Sequence, residues 1–128
     1  MKTEIVFDLE TTVQRWDNIK DNSPYNKKNK IVGAYWRVIE DGVLGPAKRA
    51  VFFHKEQDTP DSIDEFVSDL NRSSRGICHN SKFDYSYLLE AGFKLPPPYC
   101  TMIGEHILAR GTDVLKSLKA TAERRDVT

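Results

Sequence analysis

The stretch Ile5-Val6-Phe7-Asp8-Leu9-Glu10-Thr11-Thr12 constrains this chain more than any other. A short apolar run leads into two carboxylates two positions apart. In an extended strand, residues i and i+2 project from the same face, so Asp8 and Glu10 are expected about 7 Å apart and pointing the same way. Two acids on one face repel each other. At the edge of a buried strand that costs stability unless a cation sits between them, and hard divalent ions such as Mg2+ or Mn2+ prefer carboxylate oxygen. Glu4 to Asp8 is therefore expected to be a central strand, with its acids gathered at the C-terminal end.

At 128 residues the chain is long enough for one domain, residues 1–128, with a core of its own. With 39% hydrophobic and 30% charged residues it has the profile of a soluble globular protein, not of a disordered or membrane one. The formal net charge is zero, so attraction to nucleic acid has to come from local basic patches. No apolar run approaches the roughly 18 residues of a membrane span, and the N-terminus lacks the build of a signal peptide. The expected location is the cytoplasm, that of the host if the gene is phage-borne. Cys78 and Cys100 have no CxxC spacing and read as reduced, mostly buried thiols.

Arg15 to Lys30 is polar and lysine-rich and reads as a mobile loop. Ile31 to Ile39 and Arg49 to His54, joined through Glu40-Asp41-Gly42, read as a hairpin that completes a three-stranded antiparallel portion. Pro60 and Asp61 open a helix with Ile63, Phe66, Val67 and Leu70 at helical spacing, capped by Asp61 or Thr59. Gly76-Ile77-Cys78 is a short buried strand, followed by a helix from Phe83 to Glu90 that Gly92 closes. Pro96-Pro97-Pro98 reads as a stiff spacer. Thr101 to Ala109 and Val114 to Arg124 read as two helices separated by Gly111.

A third acid, Asp84, falls in the first turn of the helix after the short buried strand Gly76-Ile77-Cys78, in His79-Asn80-Ser81-Lys82-Phe83-Asp84. In open mixed sheets, ligands collect where strands end and helices begin, so Asp84 is expected to face Asp8 and Glu10. Three converging carboxylates suit two divalent ions about 3.5–4 Å apart. That arrangement favours phosphodiester hydrolysis, one ion generating hydroxide and the other stabilising the departing oxygen.

Phe7-Asp8-Leu9-Glu10-Thr11-Thr12 resembles the first motif, and His79-Asn80-Ser81-Lys82-Phe83-Asp84 the second, of the DEDD-type 3′–5′ exonucleases. Tyr99-Cys100-Thr101-Met102-Ile103 and Leu115-Lys116-Ser117-Leu118 look like the helical stretch that follows in proofreading domains of phage-type family A DNA polymerases. The resemblance implies a ribonuclease H-like α/β fold, a mixed sheet with flanking helices. It also implies a metal-dependent exonuclease acting on a single-stranded DNA 3′ end, with two Mg2+ or Mn2+ ions and a polymerase domain of the same or a split protein as partner. By the same resemblance Asp8, Glu10 and Asp84 bind metal and Glu10 helps orient the attacking water. Leu9, Thr11, Thr12, Asn80 and Phe83 would contact substrate or shape the site.

The family also uses a fourth aspartate, four residues after a Tyr or His. Asp113 and Asp126 are preceded at that distance by Ala109 and Ala122, and His106 is followed by Arg110. The chain thus resembles an exonuclease domain that is incomplete at its C-terminus, and on its own it is expected to be weakly active.

Blander roles stand beside these. Asp8 and Glu10 can end a strand as ordinary polar residues, and Asp84 can simply favour a helix N-terminus. His79 and His106 read as structural. Tyr35, Trp36, Phe52 and Phe53 read as core side chains more than as stacking platforms. Lys27, Lys28 and Lys30 fit a phosphate-tracking role and a merely solvated loop equally well. Two functional alternatives remain: an RNA or oligonucleotide exonuclease of the same fold, and a nucleic-acid-binding module that has lost catalysis.

Overall fold

The computed structural model describes residues 2–12, 14–16, 19–26, 28–52, 63–108 and 117–125. Strand β1 (Thr3–Thr11) lies at the centre of a six-stranded mixed sheet. On one side it pairs antiparallel with β4 (Ile31–Glu40), Asp8 standing opposite Tyr35 and Glu10 opposite Gly33. On the other it runs parallel to β7 (Arg75–Cys78), which in turn runs parallel to β8 (Pro98–Cys100). Strands β5 (Val43–Leu44) and β6 (Lys48–Val51) both pair with β4. The remaining pair, β2 (Gln14–Trp16) and β3 (Ile19–Asp21), forms a separate small hairpin.

The central strand runs three residues beyond its expected end at Asp8, through Leu9, Glu10 and Thr11, and a register shift between Glu10 and Thr11 marks its last turn toward the loop. Its alternation is the reason it sits centrally. Ile5, Phe7 and Leu9 face the core, whereas Asp8 and Glu10 are exposed on the opposite face. Against the apolar face pack Ala34, Trp36 and Val38 of β4, and helix α1 (Ile63–Arg72) inserts Phe66, which is fully buried. The Phe66 ring centroid lies 4.9 Å from that of Trp36 and 5.9 Å from that of Phe7. Helix α2 (Ser81–Glu90) adds Tyr87 and Leu88 to the same core.

One buried acid ties the antiparallel part to α1. Asp69 accepts hydrogen bonds from Trp36 Nε1 at 2.8 Å, Lys48 Nζ at 3.1 Å and Arg72 Nε at 2.9 Å. Burial alone would push its carboxyl up, but these three donors reverse the balance and hold it below the usual range.

Several sequence expectations change. The return half of the hairpin is split. Asp41 and Gly42, both at positive φ, turn β4 tightly into β5, and β6 forms beyond a break at Gly45, whose amide donates to Val38 O. The polar stretch from Arg15 to Lys30 holds most of the β2–β3 hairpin, in which Arg15 pairs with Lys20 and Trp16 with Ile19. The proline run is not merely a spacer, because Pro98 opens β8 opposite Gly76, a first-strand position that needs no amide hydrogen there. Helix α2 begins two residues before Phe83 and closes at Gly92 as expected, with Phe93 N donating to Leu88 O and Gly92 N to Leu89 O.

The last predicted helix is described from Ser117 onward. Ser117 has extended backbone and its hydroxyl accepts from Ala120 N, so α4 (Leu118–Arg124) starts there, and Val114, Leu115 and Lys116 of the expected helix lie outside the described residues. Helix α3 (Thr101–Leu108) precedes it, and the buried Glu105 of α3 binds Arg125 at 3.0 Å. Tyr35 is half exposed, unlike Trp36 and Phe52, which are core. The expected caps Thr59 and Asp61, along with Phe53, His54, Gly111, Asp113 and Asp126, lie outside the described residues. No helix among the described residues is long and apolar enough to cross a membrane.

Candidate active site

Because β1, β7 and β8 run parallel, their C-terminal ends share one edge of the sheet, and α2 and α3 start from it. Asp8 and Glu10 arrive there on β1. Asn80 caps α2 with a left-handed backbone, φ 61°, and its side chain makes no capping hydrogen bond. That kink lets the chain leave β7 and enter a helix at once, which carries Asp84 into the first turn of α2. Asp84 is 3% exposed.

The three acids influence one another electrostatically. Burial, and then the negative charges of Asp8 and Glu10, push the Asp84 carboxyl up to about 7. Its Oδ2 is buried with no hydrogen-bond partner. Asp8 is also shifted upward: partial burial of its carboxyl outweighs the Leu9 amide and the nearby His79. Opposite Glu10 stands Gly33, which brings no side chain of its own to that acid.

An orphaned buried oxygen flanked by two exposed carboxylates is a donor set that fits a hard divalent cation. The set is not closed, however. Among the described residues no three His, Cys, Asp or Glu side chains stand close enough to hold one ion between them. Sharing an ion would need the three side chains to draw closer together.

The other predicted residues are distributed unevenly. The Leu9 side chain is in the core, facing away from Asp8. Thr11 is partly exposed beside Glu10. Thr12 is spent on the loop opposite, its amide donating to Lys30 O at 2.8 Å and its Oγ1 accepting from Lys30 N at 2.7 Å. Phe83 is partly buried and its ring meets that of Tyr87, 5.0 Å between centroids. Asn80 is exposed at the mouth.

Thr101 and Cys100 carried no site role in the sequence. Thr101 Oγ1 lies 2.9 Å from His79 Nδ1, and Cys100 Sγ accepts from Ser81 N at 3.4 Å. The end of β8 thus braces the loop that carries Asn80. The signal was hidden by the proline run, which masked β8 as a strand. A cavity of about 350 Å3 opens beside Asp8, with Val6, Tyr35, Ile77, His79 and Leu118 in its wall.

No family model matches the chain, and no curated protein does. Its architecture does have solved counterparts. The structure of Brucella melitensis NrnC with bound Mg2+ aligns with a TM-score of 0.62 at 19% identity, covering 98% of this chain and 54% of that one. A nuclease in its apo form aligns with a TM-score of 0.62 at 20% identity, covering 94% of this chain and 50% of that one. Exonuclease X in complex with 5′ overhanging duplex DNA aligns with a TM-score of 0.61 at 15% identity, covering 98% of this chain and 74% of that one. The chain spans about half the length of the first two. Identities this low speak to architecture, and on that evidence the chain has the ribonuclease H-like mixed α/β fold of these nucleases.

Proposed function

We propose that this chain is a DEDD-type nuclease domain that removes nucleotides from the 3′ end of a nucleic acid strand, with Asp8, Glu10 and Asp84 as its metal ligands. The observation that carries the reading is the Asp84 carboxyl with an unpartnered buried oxygen, pushed up by burial and then by two neighbouring carboxylates at the shared end of parallel strands. Burying an acid beside two others is unfavourable unless a cation offsets it. Mg2+ or Mn2+ bound there would lower the pKa of a water and offset charge on the scissile phosphate.

The chain's own residues would divide the remaining work. Asp84 would hold the cation as a carboxylate. Glu10, exposed opposite a glycine, would orient a water. Asn80 and Phe83 would help shape the site, and Thr11 would lie beside the terminal nucleotide. Leu9 would meet substrate only through its backbone, since its side chain is in the core. Support comes from the two sequence motifs and from the fold shared with one nuclease that holds Mg2+ and one exonuclease that holds DNA.

The finer assignments rest on the motif resemblance: DNA as substrate, proofreading beside a polymerase domain, and two ions. A second reading, a binding module that no longer cleaves, is favoured by the open disposition of the acids. The two separate on a strand labelled at its 5′ end and supplied with Mg2+ or Mn2+. A nuclease gives products shortened stepwise from the 3′ end, and a phosphorothioate at the last linkage stops them. Binding without any shortening, for DNA and for RNA of the same sequence, would favour the second reading.

A further inference from the structure

We infer that the segment following β3 is a platform for single-stranded nucleic acid, with Lys28 and Lys30 meeting backbone phosphates and Tyr25 stacking on a base. The inference rests on the nuclease reading above and names where the strand runs as it leaves the acids.

Charge is the first observation. The chain as a whole is neutral, yet residues 19–30 hold four lysines, at 20, 27, 28 and 30, against a single acid, Asp21. That acid is turned into the loop: its Oδ1 accepts from Ser23 N at 3.0 Å and its Oδ2 from Asn26 Nδ2 at 2.7 Å. A local basic excess in a neutral chain is the footprint of a polyanion contact.

Order is the second. Asn29 Nδ2 donates to both Asp21 O and Ser23 O at 3.0 Å, Asn26 Oδ1 accepts from Lys28 N at 3.0 Å, and Tyr87 Oη of α2 donates to Asn22 O at 2.7 Å. The loop is thereby cross-linked to itself and to the core. On this frame Tyr25 is 74% exposed, and Lys28 and Lys30 are exposed as well. An aromatic side chain held out from a fixed loop, next to cations, has the make-up of a sequence-tolerant single-strand surface.

Position is the third. Thr12 and Lys30 are joined by two hydrogen bonds, and Thr12 lies two residues past Glu10, about 7 Å along the strand. A strand whose end lies at Asp8, Glu10 and Asp84 therefore passes Lys30 within a nucleotide or two.

Binding of a fluorescein-labelled 12-nucleotide oligothymidylate by the full chain, in EDTA so that nothing is cut, tests this. K28A/K30A and Y25A should each weaken binding about 10-fold while melting like the parent. For K28A/K30A the slope of log affinity against log salt should flatten by roughly 1.4, from two lost single-strand phosphate contacts. Lys94→Ala, an exposed lysine outside the loop, serves as the charge control and should bind as the parent does. Unchanged affinity and slope in K28A/K30A, in a parent that degrades oligonucleotides, would overturn the platform and leave the nuclease reading standing. A parent that neither binds nor degrades them would overturn both.

Discussion

The Asp84 carboxyl lies close enough to Asp8 that the charge of Asp8 is, after burial, the largest influence raising its pKa. One acid comes from the second turn-in to a helix and the other from the central strand, so the pairing exists only in the folded chain. It makes stability depend on pH in a specific direction. In the unfolded chain Asp84 has its ordinary value of 3.8, and in the fold about 7. Between those values the native state holds a proton that the unfolded state has lost, so stability falls as pH rises through this window. In metal-free buffer the melting temperature attributable to this group should drop between pH 5 and pH 8. Asp84→Asn should flatten that dependence, and added Mg2+ should raise the parent's melting temperature most at pH 8. Differential scanning fluorimetry across pH with EDTA or Mg2+ checks both.

Removing Asp8 should separate catalysis from folding. Asp8→Ala deletes a repelling carboxylate on an exposed strand face, so in EDTA it should melt at or slightly above the parent. Nuclease activity should fall by 100-fold or more, the order expected when a metal-positioning group is lost. A drop of several degrees in the metal-free melt would make Asp8 a structural residue.

Asp69 should behave in the opposite way. Its three donors, Trp36, Lys48 and Arg72, include two cations that would be left beside a buried cavity in Asp69→Ala. The loss should be about 2–4 kcal/mol by chemical denaturation, with no change in metal affinity.

Gly76 is a matter of space. A Cβ built there would lie 2.3 Å from Tyr85 Oη and 3.3 Å from Phe7 Cε1, and Tyr85 Oη is held by its bond to Pro96 O. Gly76→Ala should cost roughly 1–3 kcal/mol. Adding Tyr85→Phe removes the clashing oxygen, so the double variant should be more stable than the sum of the singles predicts; additive losses in a denaturant cycle would refute this packing account.

These residues also divide what could be read from the sequence from what could not. Asp8, Glu10 and the strand beneath them were legible because period-two alternation and a same-face acid pair are local properties. Asp84 was legible because Gly76-Ile77-Cys78 and the following helix are short, contiguous signals. The β8 strand was not, because Pro96-Pro97-Pro98 carries a loop signal and only pairing with β7 makes Pro98 part of a sheet. The split between β5 and β6 depends likewise on β4, and the inward turn of Asp21 on hydrogen bonds across the loop. Tyr35 misled for a related reason. It has the aromatic character of a core residue, but register places it on the face of Asp8.

The central claim is that Asp8, Glu10 and Asp84 hold divalent metal together. Mn2+ binding followed by electron paramagnetic resonance, on the parent and on Asp8→Asn, Glu10→Gln and Asp84→Asn, tests it most directly. The account predicts that the parent binds Mn2+ and that each substitution weakens binding at least about 10-fold, the isosteric changes leaving the fold in place. Equal Mn2+ affinity in the parent and all three variants would contradict it.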